Sequence, residues 1–398
     1  MGSVEVAAKS ALILCGDYME DSEAMVPFHF LQALGVRVHC ASKGKLSGHK
    51  CLTAIHDFVG FELYSELPGH NFVLNATFAE LSFESYDMLI IPGGRFTEVL
   101  SDDEDVVGIV KKFAHLGKPV ITSCHSQIML VAAGLAKGRN VTGFWSLKPV
   151  VELAGGTWVE DDASASVLDL TGCVVDGNIL STIGWPAHAE YLSQLVKLLG
   201  GQVQSSSGPK SVLFLCGDFV EDYEMYVPYR ALEGLGCKVD AVSPNKKKGD
   251  TCVTAVWDDE GAQIWSEKRG HNFYFKTSWD EEIRAENYDC LVVPGGRSPE
   301  LLLNDKKAVA LVQDFAEKDK IVAGVGHGLW LLAAADILRG KTCAASHGVK
   351  VIAKAAGAQV ANDALCTTDR KLVTAVGWHA LPQFVSELAD ALGLSVVF

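Results

Sequence analysis

At 398 residues the chain exceeds what one ordinary core organises, so two domains of roughly 200 residues each are expected. Its 34 Lys+Arg against 49 Asp+Glu give a formal net charge of −15, and no basic run could follow a phosphate backbone, which excludes nucleic acid as an expected partner. Hydrophobic content of 48% with 21% charged residues describes a well-buried globular protein, and its apolar runs are broken too often by Gly, Asp, Lys or His to cross a membrane.

Strands and helices alternate from the start. Ala11 to Cys15 is a continuous apolar run, Ser22 to Leu34 carries helical spacing through Met25, Phe28, Leu31 and Leu34, and Val36 to Ala41 is a second strand. Met88 to Pro92 gives a third strand, Val106 to His115 a helix, Pro119 to Ser123 a fourth strand, and His125 to Leu135 the helix that follows it directly. Val174 to Leu180 has the pattern of a hairpin around Asp176-Gly177, and Pro186 to Leu199 that of a closing helix. Runs apolar on both faces are what parallel strands covered by helices require, so the fold class is doubly wound α/β with sites expected at the carboxyl ends of strands.

The second half rewrites the first. Leu12 to Pro27 recurs as Leu213 to Pro228, Gly69-His-Asn-Phe72 as Gly270-His-Asn-Phe273, and Ile91-Pro-Gly-Gly-Arg95 as Val293-Pro-Gly-Gly-Arg297. Cys173-x-x-Asp176 and Cys366-x-x-Asp369 stand closer together, which places a deletion in the second copy opposite Glu160 to Gly172. The expected organisation is one domain over residues 1–203, a Gly/Ser-rich flexible linker over 204–209, and a second domain over 210–398.

Within the first copy, Cys124 sits where a strand runs straight into a helix. Such a corner lifts the side chain above the sheet, and unpaired helix N–H groups would favour the thiolate, with His125 next to it to relay protons. The plainer reading is a small buried hydrophobe. Other strand ends add Asp17, Glu20, Asp21 and Glu23, then Gly93, Gly94, Arg95 and Glu98, then His188 and Glu190; acidic residues opening a helix are commonly caps. A cysteine, two histidines and carboxylates on one rim nonetheless make a kit for nucleophilic attack with proton transfer. The eleven cysteines include no C-x-x-C pair and no zinc spacing, so no metal or cofactor is expected and the thiols read as reduced. With no signal or anchor pattern at Met1 to Lys9, the expected location is the cytoplasm, or cytoplasm and nucleus.

The Gly-Asp-x-x-Glu-Asp-x-Glu opening, the Pro-Gly-Gly-Arg-x-x-Glu loop and the Cys124-His125 elbow together resemble the PfpI/ThiJ family, which includes DJ-one, and the tandem layout resembles its double-domain plant members. The resemblance implies two flavodoxin-like α/β/α sandwiches, of the class I glutamine amidotransferase type. It also implies glutathione-independent glyoxalase or deglycase chemistry on a small α-oxoaldehyde such as methylglyoxal. Carried over, Cys124 is the nucleophile, Glu23 the carboxyl that shuttles its proton, His125 the relay, Glu98 the carboxylate orienting that histidine, and His188 the histidine of the family's Gly-His-Pro-Glu-Phe segment. Ser126 replaces the glycine common after the Cys-His pair, and Ser123 an aliphatic residue. The second copy keeps Glu224, Glu300 and His327 but has Gly326 at the nucleophile and Leu381 for His188. A redox-sensing or binding protein is the competing reading, and a cysteine peptidase ranks lowest. The resemblance also implies that the two copies pair within the chain as single-domain members pair between chains, with homo-oligomers besides.

Overall fold

The computed structural model describes residues 8–59, 63–161, 170–259, 265–279 and 283–398. It forms two compact units, Met1–Gln202 with Phe398 and Val203–Val397. In the first unit the elements run β1 (Ser10–Leu14), β2 (Met19–Glu20), α1 (Asp21–Ala33), β3 (Arg37–Ala41), β4 (Lys50–Val59), β5 (Leu63–Val73), β6 (Met88–Ile91), α2 (Phe96–Leu100), α3 (Glu104–His115), β7 (Val120–Ser123), α4 (Gln127–Ala132), β8 (Asn140–Val141), α5 (Lys148–Leu153), β9 (Thr157–Trp158), β10 (Cys173–Asp176), β11 (Ile179–Thr182) and α6 (His188–Leu198).

The central sheet has the order β10-β11-β7-β6-β1-β3, parallel except where β10 turns back on β11. Strands β1, β6 and β7 are buried along their whole length, as a sheet covered on both faces demands. Their carboxyl ends therefore open on one edge, and the loops that follow them supply the site. The second unit repeats the order with Cys366–Asp369, Leu372–Ala375, Ile321–Val325, Cys290–Val293, Ser211–Leu215 and Lys238–Val242. Both units are doubly wound α/β domains, as the sequence pattern implied, and of the flavodoxin-like kind that the resemblance implied.

Three local expectations change. The β10–β11 ladder ends with Asp176 opposite Ile179, so the turn is Gly177 (φ 63°) and Asn178, one residue past the expected centre. The Gly/Ser stretch at the join begins with a strand, Gln202–Ser205, which forms a two-stranded sheet with Leu394–Val397; backbone pairing overrides composition there. The long β4–β5 hairpin was not foreseen. It pairs antiparallel beside β2, with a register shift between Leu52 and Ala54. The deletion expected opposite Glu160 to Gly172 falls mostly on residues outside the described ones. No helix among the described residues is long and apolar enough to cross a membrane.

Candidate active site

Cys124 directly follows β7 with φ 55°, a left-handed backbone that costs a residue with a Cβ about 1–2 kcal/mol. Only a single 3-10 turn, Cys124–Ser126, separates it from α4. Ser126, which replaces the glycine common after the Cys-His pair, stitches this corner. Its buried hydroxyl accepts from the Ser123 N–H at 2.6 Å and lies 2.8 Å from the carbonyls of Ile91 and Ser123.

Glu23 reaches the same corner from α1. Its Oε2 accepts the Gly93 N–H at 2.7 Å and its Oε1 the Trp185 N–H at 2.9 Å. A Cβ on Gly93 would stand 2.6 Å from both Cys124 Cβ and Glu23 Oε2, so the Pro-Gly-Gly loop is glycine because thiol and carboxyl close in on it. Burial, with the neighbouring Glu20 adding to it, pushes the Glu23 carboxyl up to about 8. At neutral pH it holds a proton and can donate it.

His125 is half-buried with Nδ1 3.5 Å from Cys124 Sγ, its ring stacked on Phe144 at 5.1 Å. Burial, and His56 close by, hold its pKa down at about 4, so the imidazole is neutral at pH 7.

The thiol departs from expectation. Cys124 is half-exposed by surface area, yet dehydration, then Glu23, then Glu20, raise its pKa well above the ordinary value. The anticipated thiolate relied on a helix N-terminus, but one 3-10 turn and the six residues of α4 give a weak dipole against two close carboxyl groups. Native alkylation near neutral pH should therefore be slow and confined to Cys124, Cys173 and Cys366, the three half-exposed thiols, with Cys124 gaining as pH rises; mass mapping that finds Cys15 or Cys216 labelled first would overturn this.

The remaining candidates separate. Glu98 is exposed on α2 and makes no ion pair with His125 among the described residues, whereas in the second unit His327 Nδ1 lies 3.4 Å from Glu300 Oε1. His188 is buried as the first residue of α6, its ring 5.6 Å from that of Tyr191, whose hydroxyl is pushed up by burial and then by Glu23. Glu20 caps α1 by accepting the Glu23 N–H at 2.7 Å, and Asp17 binds Lys45 at 2.7 Å. Asp21 is taken up by buried His70 (2.7 Å) and Thr53 (2.5 Å), which explains the repeated Gly-His segment: a Cβ on Gly69 would meet Thr53 Oγ1 at 2.4 Å. Arg95 grips Glu66 with two hydrogen bonds.

Sequence reasoning missed Trp185, whose N–H holds Glu23, and His56, whose carbonyl accepts the Trp185 indole N–H at 2.9 Å. The signal was available in part, because Gly184-Trp185 recurs as Gly377-Trp378 at the spacing of the two Cys-x-x-Asp segments. No group of three or more His, Cys, Asp or Glu among the described residues is placed to hold a metal.

In the second unit the corner persists without its thiol. Gly326 has φ 50°, and Glu224 Oε2 accepts the Gly295 N–H at 2.8 Å. Leu381 opens the last long helix, Leu381–Leu392, as His188 opens α6.

The DJ-1/PfpI family model matches this chain twice, over residues 9–198 and 210–391. The chain belongs to the DJ-1/PfpI family. Among DJ-1/PfpI proteins it is 53% identical over 393 residues to DJ-1 protein homolog E of Arabidopsis thaliana, covering 98% of each, and 50% identical to DJ-1 protein homolog F across both full lengths. Deglycase PfpI of Pyrococcus furiosus is 30% identical over 190 residues, 47% of this chain and 98% of that protein. A solved DJ-1/PfpI structure, Drosophila melanogaster DJ-1beta, aligns at 20% identity with a TM-score of 0.39, over 48% of this chain and 91% of its own.

Proposed function

We propose that the first unit is a glutathione-independent glyoxalase or deglycase acting on small α-oxoaldehydes through Cys124. The observation that carries the reading is the grouping, at one left-handed corner, of a thiol, a protonated carboxyl and a neutral imidazole. The thiol proton passes to His125 as Sγ bonds to the aldehyde carbon, and Glu23 supplies a proton to the resulting alkoxide. Moving the hydrogen of that carbon to the neighbouring carbonyl carbon through an enediol gives a hydroxyacyl thioester. Water then cleaves the C–S bond, releasing a hydroxy acid and the thiol, with no external oxidant or reductant.

Two supports come from outside the geometry. Several archaeal relatives at 30–31% identity carry the name deglycase, and their matches span one copy's length. Redox sensing is the weaker reading, since oxidation at rest favours a standing thiolate and Cys124 is held as a thiol. Incubating purified full-length protein with methylglyoxal, without glutathione, should produce lactate in proportion to enzyme. No lactate above the buffer blank would reject the glyoxalase arm, and unchanged levels of glycated test peptide the deglycase arm.

A further inference from the structure

The nucleophile-free corner of the second unit opens into a cavity of about 330 Å³, the size that takes a one- or two-ring ligand. Comparing the copies residue by residue shows how it arises. The strands Asn140–Val141 and Thr342–Cys343 correspond, which aligns Phe144 with Ser346, Trp145 with His347, Lys148 with Lys350 and Glu160 with Asn362. In the first unit Phe144 stacks on His125 and Trp145 packs beside it, ring centroids 4.2 Å apart. In the second, a hydroxymethyl and an imidazole stand in their place, and both line the cavity.

The same comparison uncovers a charge. Lys148 forms an ion pair with Glu160. Lys350 lines the cavity half-buried, and with Asn362 in place of that carboxylate it has no ion-pair partner among the described residues. Along this segment the second copy thus lacks one aromatic ring pair and one carboxylate that the first copy has. A half-buried ammonium left without an anion favours a ligand that brings one.

We propose that the second unit binds a small aromatic monocarboxylate in this cavity, reversibly and without covalent chemistry. The ring takes the space that Phe144 and Trp145 fill in the first unit, and the carboxylate meets Lys350 as Glu160 meets Lys148. The walls suit a ring better than a sugar. Trp257, which stands where the first copy has His56, already gives its indole N–H to Glu267 at 2.9 Å, and Trp378 gives its own to the Trp257 carbonyl at 2.9 Å, so both offer ring surface rather than donors. Competing charge is limited. Burial, then Glu221, raise the Glu224 carboxyl well above the usual carboxylate range, Asp259 is tied to His379 at 2.9 Å, and Asp363 stands exposed.

The inference does not depend on turnover in the first unit. Its test is calorimetric titration of the full-length chain with 2-naphthoate and with uncharged 2-naphthamide, alongside two variants that restore first-copy residues, Asn362→Glu and Ser346→Phe. One saturable site per chain is expected for 2-naphthoate, weakened at least about tenfold by either substitution and by the amide. Thermal melts matching the parent show that the variants fold, and Lys350→Met, at a half-buried side chain, serves as a third variant should either fail to fold. Absence of saturation at millimolar 2-naphthoate overturns the proposal. So does parental affinity in the folded variants, or equal affinity for the amide.

Discussion

Cys124→Ser protein is expected to lose lactate formation by on the order of 10³-fold or more, while Glu300→Gln protein keeps the parental rate within a few fold. The serine hydroxyl would occupy the same left-handed corner beside Glu23 and His125, so geometry survives and only nucleophilicity is lost. A thiol is both more acidic and intrinsically more nucleophilic than an alcohol, so the substitution removes the group best able to attack the aldehyde while the His125 imidazole stays in place. Glu300 pairs with His327 beside Gly326, where there is no nucleophile to assist. Full turnover in Cys124→Ser protein would move the chemistry away from this corner.

Stability should fall as pH rises from about 5 to 8, by a few kcal/mol in all. The Glu23 carboxyl has a folded pKa of about 8 against an ordinary 4.5, and Glu224 is likewise raised by burial. Across that window the folded chain retains protons that the unfolded chain has released, so each added pH unit favours unfolding. His125 acts with the opposite sign. Its folded pKa of about 4 lies below the ordinary 6.5, so stability is also lost as pH falls from 6.5 towards 4. Melting temperature should therefore peak in mildly acidic solution. Glu23→Gln/Glu224→Gln protein should melt lower throughout but with a flatter alkaline limb; a limb as steep as the parent's would show that other groups set it.

The parts of this structure that could be read from the sequence are those with one dominant force. β1, β6 and β7 are short apolar runs buried on both sides, and they and the edge strand β3 lie within a residue or so of their expected bounds. β4 and β5 escaped because the shift at Leu52/Ala54 breaks period-two alternation, and Pro68 and Gly69 sit inside the partner strand. At the site, residue types pointed to Cys124 and His125, whereas Glu23 was singled out only by the family resemblance, because the four acidic residues of its loop look alike in sequence; in the structure Glu20, Asp21 and Asp17 hold the helix start, His70 and Lys45. The sign of the Cys124 shift was out of reach for the same reason: it depends on how closely two carboxyl groups approach, and spacing along the chain does not report that.

The left-handed corner makes the two copies unequal in what mutation can do to them. Cysteine to glycine at such a position removes the reactive group and at the same time relieves about 1–2 kcal/mol of backbone cost, so the loss of chemistry is rewarded by a steadier fold. The reverse step is penalised twice, since a Cβ on Gly326 would take up left-handed angles and stand 3.1 Å from Glu224 Oε1. A chain carrying two such corners behaves as a ratchet. Once glycine stands at one corner, regaining a thiol there meets both costs, whatever the other corner carries.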